Sequence, residues 1–342
     1  MTAYIVRRLL LLPITLFGVT LFVFGVYSFL DPAMKTVLYV HDIPKTSDAL
    51  QRIIHKYGLD DPFYLQYWRW LNQVFHGNLG WSKTAQRPVL EALLYYFPAT
   101  VELVLWAAIP VIFIGIWLGI LSAVHHNKPI DHASRVFALI GWSFPSYVYG
   151  LLLLMVFYAT LHWLPPGRIS DWVIREINAG TFREVTRIYT IDAIINGRPD
   201  VLLDVFKHMI LPVITLSYIQ WELLLRVTRS SMLETLRQEY VMTARSKGLA
   251  ERIVVYKHAA RNAMIPVATM GGMLLIGLLN GAVITETVFN YRGMGWWAAN
   301  AATQLDIISV LGFTLFNAVL LSVGILFIDI MYAVIDPRIR LE

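Results

Sequence analysis

Three histidines beside one aspartate are the residues whose spacing first suggests metal chemistry. His125, His126 and His132 lie close together, and Asp131 is the carboxylate at ligand spacing. A structural zinc site usually takes four nitrogen, sulfur or oxygen ligands, and the chain has no cysteine to supply a thiolate. We therefore predict a solvated loop here, with no metal or cofactor bound by this chain.

Hydrolytic and nucleotide-binding patterns give no better candidate. The sequence contains neither a G-x4-GK[ST] phosphate loop nor an H-E-x-x-H pair, and Ser143 lies in GWSFP instead of a G-x-S-x-G elbow. A membrane-embedded enzyme would need a nucleophile and a base facing each other at depth, and we see no such pair. We predict that the chain has no catalytic residue and is not an enzyme.

The most distinctive polar feature is the basic segment Arg226–Arg261, which lies between two membrane-length apolar runs and contains ARSKGL at Ala244–Leu249. Ser230 or Ser231 could cap a helix that ends near Gly248, and a second short helix would follow. Attraction to anionic lipid is the alternative, but it does not explain an apolar stripe together with a glycine hinge. The pattern favours an elbow that seats in a groove on another protein.

Composition places the chain in a bilayer. Hydrophobic residues make up 57% of the 342 residues, and the mean hydropathy is +0.58, whereas soluble domains hold about 45–50% apolar residues. The net charge of +5 is concentrated in the basic segment, so we predict no nucleic-acid partner.

Stretches without charged residues predict the membrane spans. Five are clear and a sixth is weak because Glu222 and Arg226, which can pair at i and i+4, follow it closely. They are Leu9–Leu30, Leu103–Val124, Val136–Leu164, Ala263–Thr285 and Ile307–Ile328, with Met209–Trp221 as the weak one. Positive charge near both chain ends indicates that both termini are cytoplasmic, which requires an even number of crossings.

These spans divide the chain. We predict a first transmembrane helix at 1–30 and an extracytoplasmic loop with amphipathic helices at 31–98, one capped by Ser47 or Asp48 and stopped by Gly58. A five-helix transmembrane domain follows at 99–334, with an extracytoplasmic insert at 162–208, a cytoplasmic segment at 229–261 and a tail at 335–342. We expect the carboxylates at the span ends to reach the interface by snorkelling; they are Glu102, Glu286, Asp306 and Asp329.

Several motifs in order resemble a known family, the membrane-spanning permease subunits of ATP-driven (ABC) importers of the oligopeptide, dipeptide and nickel class. They are RRLLLL near the amino terminus, KYGLDDPFYLQYWRW at Lys56–Trp70, HGNLGWS at His76–Ser82, PATVEL at Pro98–Leu103, HMILPVITL at His208–Leu216, TRSSMLE at Thr228–Glu234, EYVMTARSKGL at Glu239–Leu249, HAARNAMIPV at His258–Val267, TETVF at Thr285–Phe289 and DPRIR at Asp336–Arg340. The likeness covers nearly the whole chain. It departs from the general importer loop pattern E-A-A-x3-G, of which only Ala244 and Gly248 fit.

The resemblance implies a type I ABC importer permease with six helices in the cell (inner) membrane. Its partners would be a second homologous permease, two cytoplasmic ATPases that use ATP and magnesium, and an extracytoplasmic binding protein. The coupling helix that docks on an ATPase would comprise Ala244, Arg245, Ser246, Lys247, Gly248, Leu249, Ala250, Glu251, Arg252, Ile253 and Lys257. Peptide is the expected cargo, and an oligosaccharide or a nickel complex is the alternative; a passive channel is the alternative from another class.

The transport pathway itself has weaker signals. Ser143, Phe144 and Tyr147 flank the Pro145 kink, and Glu222 and Asn280 are polar residues in apolar surroundings, so we select these five as pathway candidates. The G-x-x-x-G pairs at Gly115–Gly119 and Gly277–Gly281 predict close helix packing, within the chain or against another permease.

Overall fold

The computed structural model describes residues 2–36 and 46–335. Within them the chain is helical, with one antiparallel β-hairpin that pairs Trp81 with Pro88 and Ser82 with Arg87. The chain divides into two compact units, one of residues 1–98 and 292–327 and one of residues 99–291 and 328–342.

The elements in chain order are α1 (Thr2–Ser28), α2 (Pro32–Lys35), α3 (Ser47–Tyr57), α4 (Phe63–Phe75), β1 (Trp81–Ser82), β2 (Arg87–Pro88), α5 (Val89–Val124), α6 (Pro129–Ser143), α7 (Ser146–Leu153), α8 (Asp171–Asn178), α9 (Tyr189–Ile195), α10 (Pro199–Leu236), α11 (Glu239–Ser246), α12 (Glu251–Ile253), α13 (Ala260–Val288), α14 (Met294–Thr303) and α15 (Ile307–Ile335). Two wider π-type turns, Leu154–Thr160 and Val254–Ala259, extend α7 and join α12 to α13.

Among the described residues, five helical stretches are long and apolar enough to cross a bilayer, and the bent pair α6–α7 makes up to six. The predicted all-α membrane fold is confirmed. Met209–Trp221 is too short a prediction, because α10 continues well beyond it in both directions. The prediction was short because a stretch without charged residues cannot extend past Lys207 or Glu222, although both residues belong to α10.

The third predicted span, for which we expected a kink at Pro145, is a broken one. Instead of running straight through Val136–Leu164, the chain breaks after Ser143, and the two halves are bent by 101°. Pro145 explains the break, since it cannot donate a backbone hydrogen bond and disfavours helical geometry in the residue before it. Phe144 accordingly has an extended conformation.

The first unit is built around aromatic packing between α1 and α4. Phe24 of α1 lies 5.4 Å from the Tyr67 ring and 5.3 Å from the Trp70 ring of α4, and the Thr20 and Tyr67 hydroxyls are 2.9 Å apart. The amphipathic helices predicted for the loop are confirmed as α3 and α4, and Gly58 ends α3 in the left-handed conformation. Thr46 occupies the N-cap position, before both predicted candidates, Ser47 and Asp48, and its side chain makes no capping hydrogen bond.

Asp306 organises the hairpin of this unit. Its carboxylate accepts hydrogen bonds from the Ser82 hydroxyl at 3.2 Å, the Thr84 backbone N–H at 3.0 Å and the Ser309 hydroxyl at 2.6 Å. Asp306 is 3% exposed, so the snorkelling prediction is wrong for this residue. The carboxylate meets donors from its own chain and does not need water.

The second unit is assembled on α10, which packs against α6, α7, α9 and α13. The α5 crossing is close, because a methyl group added at Gly119 would stand 2.5 Å from the Thr228 Cβ. The Gly115–Gly119 pair therefore packs against α10 of the same chain. Of the two predicted alternatives, packing within the chain or against another permease, the first is the one observed. For the second pair, the surroundings of Gly281, like the Asn280 side chain, lie outside what the structure describes.

Candidate functional site

The predicted elbow begins where α10 ends. The chain turns at Arg237 and Gln238, α11 follows, and a second turn lies at Gly248. Ser230 and Ser231 do not cap a helix, contrary to prediction, because both lie inside α10; the Ser231 hydroxyl instead donates to the Ala263 carbonyl oxygen at 2.8 Å.

The second arm of the elbow is also different from the prediction. Glu251 begins a helical segment that passes through a π-type turn and continues as the long helix α13. The arm is therefore the first part of a membrane-length helix and not a separate short one. A displacement of the elbow would act directly on that helix.

The elbow has two faces. On the inner face, Val241 and Ala244 of α11 and Val254 and Val255 of the second arm are buried against Met232 of α10 and its neighbours. Apart from Ala244, every predicted docking residue is exposed: Arg245, Ser246, Lys247, Gly248, Leu249, Ala250, Glu251, Arg252, Ile253 and Lys257. The outer face thus presents basic and apolar side chains, while the inner face of the same segment packs against α10.

Gly248 and an ion pair define the bend. Gly248 has a φ of +75°, with nothing within 4 Å of the position where a Cβ would lie, so backbone conformation and not space favours glycine. Across the bend, the Arg245 Nη2 donates to Glu251 Oε1 at 2.6 Å and its Nε to Oε2 at 3.2 Å. This two-pronged pair links the two arms.

Three of the five pathway candidates lie at the bend of the broken span. Ser143, Phe144 and Tyr147 are exposed at the bend, and the Ser143 hydroxyl donates to the Leu139 carbonyl oxygen at 2.8 Å. Glu222 lies on α10, where its predicted pair with Arg226 is present at 3.4 Å. The Asn280 side chain is outside the described residues, so its prediction stands as made.

A tyrosine braces the bend from α10. The Tyr218 hydroxyl donates to the Phe137 carbonyl oxygen at 2.7 Å, and its ring lies against Gly141, where a Cβ would come within 2.9 Å. The Tyr149 ring on the other half is 5.1 Å from the Tyr218 ring. One residue therefore contacts both halves of the broken span.

The histidine cluster has a structural explanation. Asp131 is fully buried and binds protein donors, while the His132 Nδ1 lies 2.7 Å from Arg135 and the His125 Nδ1 lies 3.0 Å from the Leu121 carbonyl oxygen. Among the residues described, no group of three or more potential ligands could hold a metal ion.

Sequence reasoning missed a buried cluster around Glu102, which lies well inside α5. Glu102 is 1% exposed and accepts from Arg168 Nη2 at 2.6 Å, the Thr190 N–H at 2.7 Å and the Tyr291 hydroxyl at 3.2 Å. The Arg168 guanidinium also lies 3.9 Å from the centre of the Tyr189 ring. Snorkelling is thus wrong for Glu102. It is wrong for buried Glu286 as well, which accepts from Thr100 at 2.6 Å.

The pKa shifts in this cluster agree with its hydrogen bonds. Burial alone would lower the pKa of Arg168, but the Glu102 carboxylate beside it raises that pKa above its usual value. Burial, and next the negative charge of Glu102, raise the pKa of the Tyr291 hydroxyl well above its usual value. Arg168 therefore stays charged and Tyr291 stays a hydrogen-bond donor. No local sequence pattern would have found this cluster, because the donors to Glu102 lie 66 to 189 residues away in the chain.

Comparison with known proteins identifies the family of the chain. Residues 115–341 match the family described as binding-protein-dependent transport system inner membrane component, and residues 1–104 match its N-terminal family. The chain belongs to this family. It is a transport permease and a multi-pass membrane protein, and the resemblance seen in the sequence is confirmed.

Curated relatives cover the permease almost completely. It is 41% identical to the "Probable D,D-dipeptide transport system permease protein" of Escherichia coli strain K12, over 86% of both chains. It is 36% identical to a dipeptide transport system permease protein of Alkalihalophilus pseudofirmus, over 99% of the permease and 100% of the relative. An oligopeptide transport system permease protein of Bacillus subtilis is 34% identical over 99% of the permease and 100% of the relative.

Proposed function

We propose that this permease is one half of an ATP-driven importer that carries peptides, delivered by an extracytoplasmic binding protein, across the inner membrane. The names of its relatives support a peptide cargo. A second homologous permease completes the pathway, and two ATPase subunits hydrolyse ATP with magnesium. Both termini face the cytoplasm, with residues 31–98 and the 162–208 insert outside.

The observation that carries this proposal is the two-faced elbow. Its inner face is apolar and fixed to α10, while its outer face, around Gly248, is exposed and basic. A groove on an ATPase subunit would bind that outer face. Because the second arm continues into α13, closure of two ATPases would tilt membrane helices and alternate access to the pathway.

The pathway lies along the broken span in this proposal. Ser143, Phe144 and Tyr147 are exposed there, with Glu222 on the neighbouring helix α10 and Asn280 on α13. Irregular backbone at membrane depth is tolerated where it is buried in protein or lines a water-filled cavity. A mixed, roomy surface suits peptides whose side chains vary.

The test uses two glycines of the same conformation. Gly248→Val forces a β-branched residue into a left-handed conformation, which costs about 1–2 kcal/mol locally, and it should uncouple ATP hydrolysis from dipeptide uptake. Gly197→Val is the matched control, since Gly197 has a φ of +65° and equally open surroundings in the outer insert. Uptake and ATPase activity are measured together in proteoliposomes.

Normal uptake by an assembled Gly248→Val complex would overturn the docking role. The same vesicles identify the cargo, because a labelled dipeptide, an oligosaccharide and a nickel chelate can be offered in turn. Uptake in the absence of the ATPase subunits would favour a passive channel instead.

A further inference from the structure

A buried carboxylate joins three helices at the elbow end of α10. Asp131 accepts from Arg229 Nε and Nη2, both at 2.8 Å, from the Asn127 backbone N–H at 2.9 Å and from the Ser122 hydroxyl. The Arg135 Nε is 3.5 Å away. The carboxylate is fully buried and the Arg229 side chain is 19% exposed.

Each partner belongs to a different helix. Ser122 is in the last turn of α5, Asp131 in the first turn of α6, and Arg229 in α10, two turns before that helix ends at Leu236. One turn after Arg229, Met232 packs against the buried face of the elbow. The pair therefore connects α10, which holds the elbow, to α6, the first half of the broken span.

Packing alone would hold these helices together. Gly119 meets Thr228 at the same crossing, and apolar residues in place of a buried ion pair are often neutral or stabilising. What a two-pronged guanidinium–carboxylate contact adds is geometry, because it fixes distance and orientation together. The pair is therefore suited to keeping α10 and α6 in a fixed relative orientation when either helix moves.

We propose that Asp131 and Arg229 are positioning residues that transmit movement of the elbow to α6, and through that rigid helix to the bend at Phe144 and Pro145. The proposal rests on the proposed importer function. Movement of α11 shifts the end of α10, Arg229 carries Asp131 with it, and α6 swings as a unit.

The experiment compares peptide imported per ATP hydrolysed in proteoliposomes that contain the whole complex and a binding protein. Arg229→Gln and Asp131→Asn should each lower that ratio by about tenfold, within the range of ordinary coupling between sites, while ATP hydrolysis persists. The double variant should lose no more than either single one, because both changes break the same joint. Arg198→Gln is the matched control, since it removes ion pairs with Glu176 and Asp200 at the opposite end of α10.

The outcomes separate the two hypotheses. If the wild-type complex shows no ATP-dependent peptide uptake, the importer function fails. If it does import but the variants keep a normal ratio, the positioning role fails. A loss of uptake and hydrolysis in proportion to the assembled complex shows a purely structural role and also overturns it. If the Arg229→Gln complex does not assemble, Arg229→Lys replaces it in the experiment, because lysine keeps the charge without the two-pronged geometry. If neither variant assembles, that result counts against the proposal.

Discussion

Replacement of Glu102 by glutamine tests the energetics of the buried cluster. The change keeps the size of the side chain but leaves the Arg168 charge, whose side chain is 10% exposed, without its carboxylate. Removing one partner of a buried ion pair typically costs about 3–5 kcal/mol. One kcal/mol shifts the Tm of a domain of 150–250 residues, the size of the second unit, by about 2–4 °C, so we expect the unfolding of that unit to shift down by about 10 °C.

The assay is thermal unfolding of the purified permease in nanodiscs, followed by tryptophan fluorescence. Glu91→Gln on the same helix is the matched control, because Glu91 is exposed and an exposed charge contributes little. The 162–208 insert should also become sensitive to trypsin, since Arg168 and Thr190 both belong to it. A Tm loss no larger than that of the control would refute the reasoning.

Two further predictions concern packing and topology. Gly141→Ala should lower the free energy of unfolding by about 1–3 kcal/mol through overpacking, since the new Cβ would stand 2.9 Å from the Tyr218 ring. Gly271→Ala is the control, because open space surrounds that position. Equal Tm values for the two variants would contradict the prediction. Because the natural chain has no cysteine, Tyr64→Cys should react with an impermeant maleimide outside intact cells and Met242→Cys only after lysis. Labelling of the latter in intact cells would contradict the orientation.

The fold was predictable where a local pattern decides it. Apolar length identifies the membrane helices, and the stripe in α4 with the stop at Gly58 identifies the amphipathic pair. The bend after Ser143 was harder, because Pro145 in a long apolar run is compatible with a kink or with a full break. The packing of Tyr218 on Gly141, which is distant in sequence, accompanies the full break.

The buried carboxylates were not predictable by counting charge-free residues. That method ends a span at the first charge, so it places Glu102 at a helix end by construction, although α5 begins at Val89. Whether such a residue snorkels or is buried depends on donors such as Arg168, which are far away in sequence. Tertiary partners decide the outcome, and no local pattern contains them.

The elbow illustrates the same division. Gly248 and the surrounding charges identify it, because the glycine is needed for a backbone conformation and the charges stay exposed. Ser231 has the residue type of a helix cap, yet in the fold it binds the Ala263 carbonyl oxygen on α13. A hydroxyl can satisfy either role, and only the packing of α10 on α13 decides between them.

The distribution of charge in the second unit also bears on cargo. The carboxylates of Glu102 and Asp131 are saturated by donors of their own chain, so neither is available to a passing peptide. Glu222 differs, because its Oε2 is buried with no hydrogen-bond partner among the described residues and its ion pair with the mostly exposed Arg226 is long. In the proposed pathway, Glu222 is thus the one of these three carboxylates with an oxygen left for a peptide's amino group.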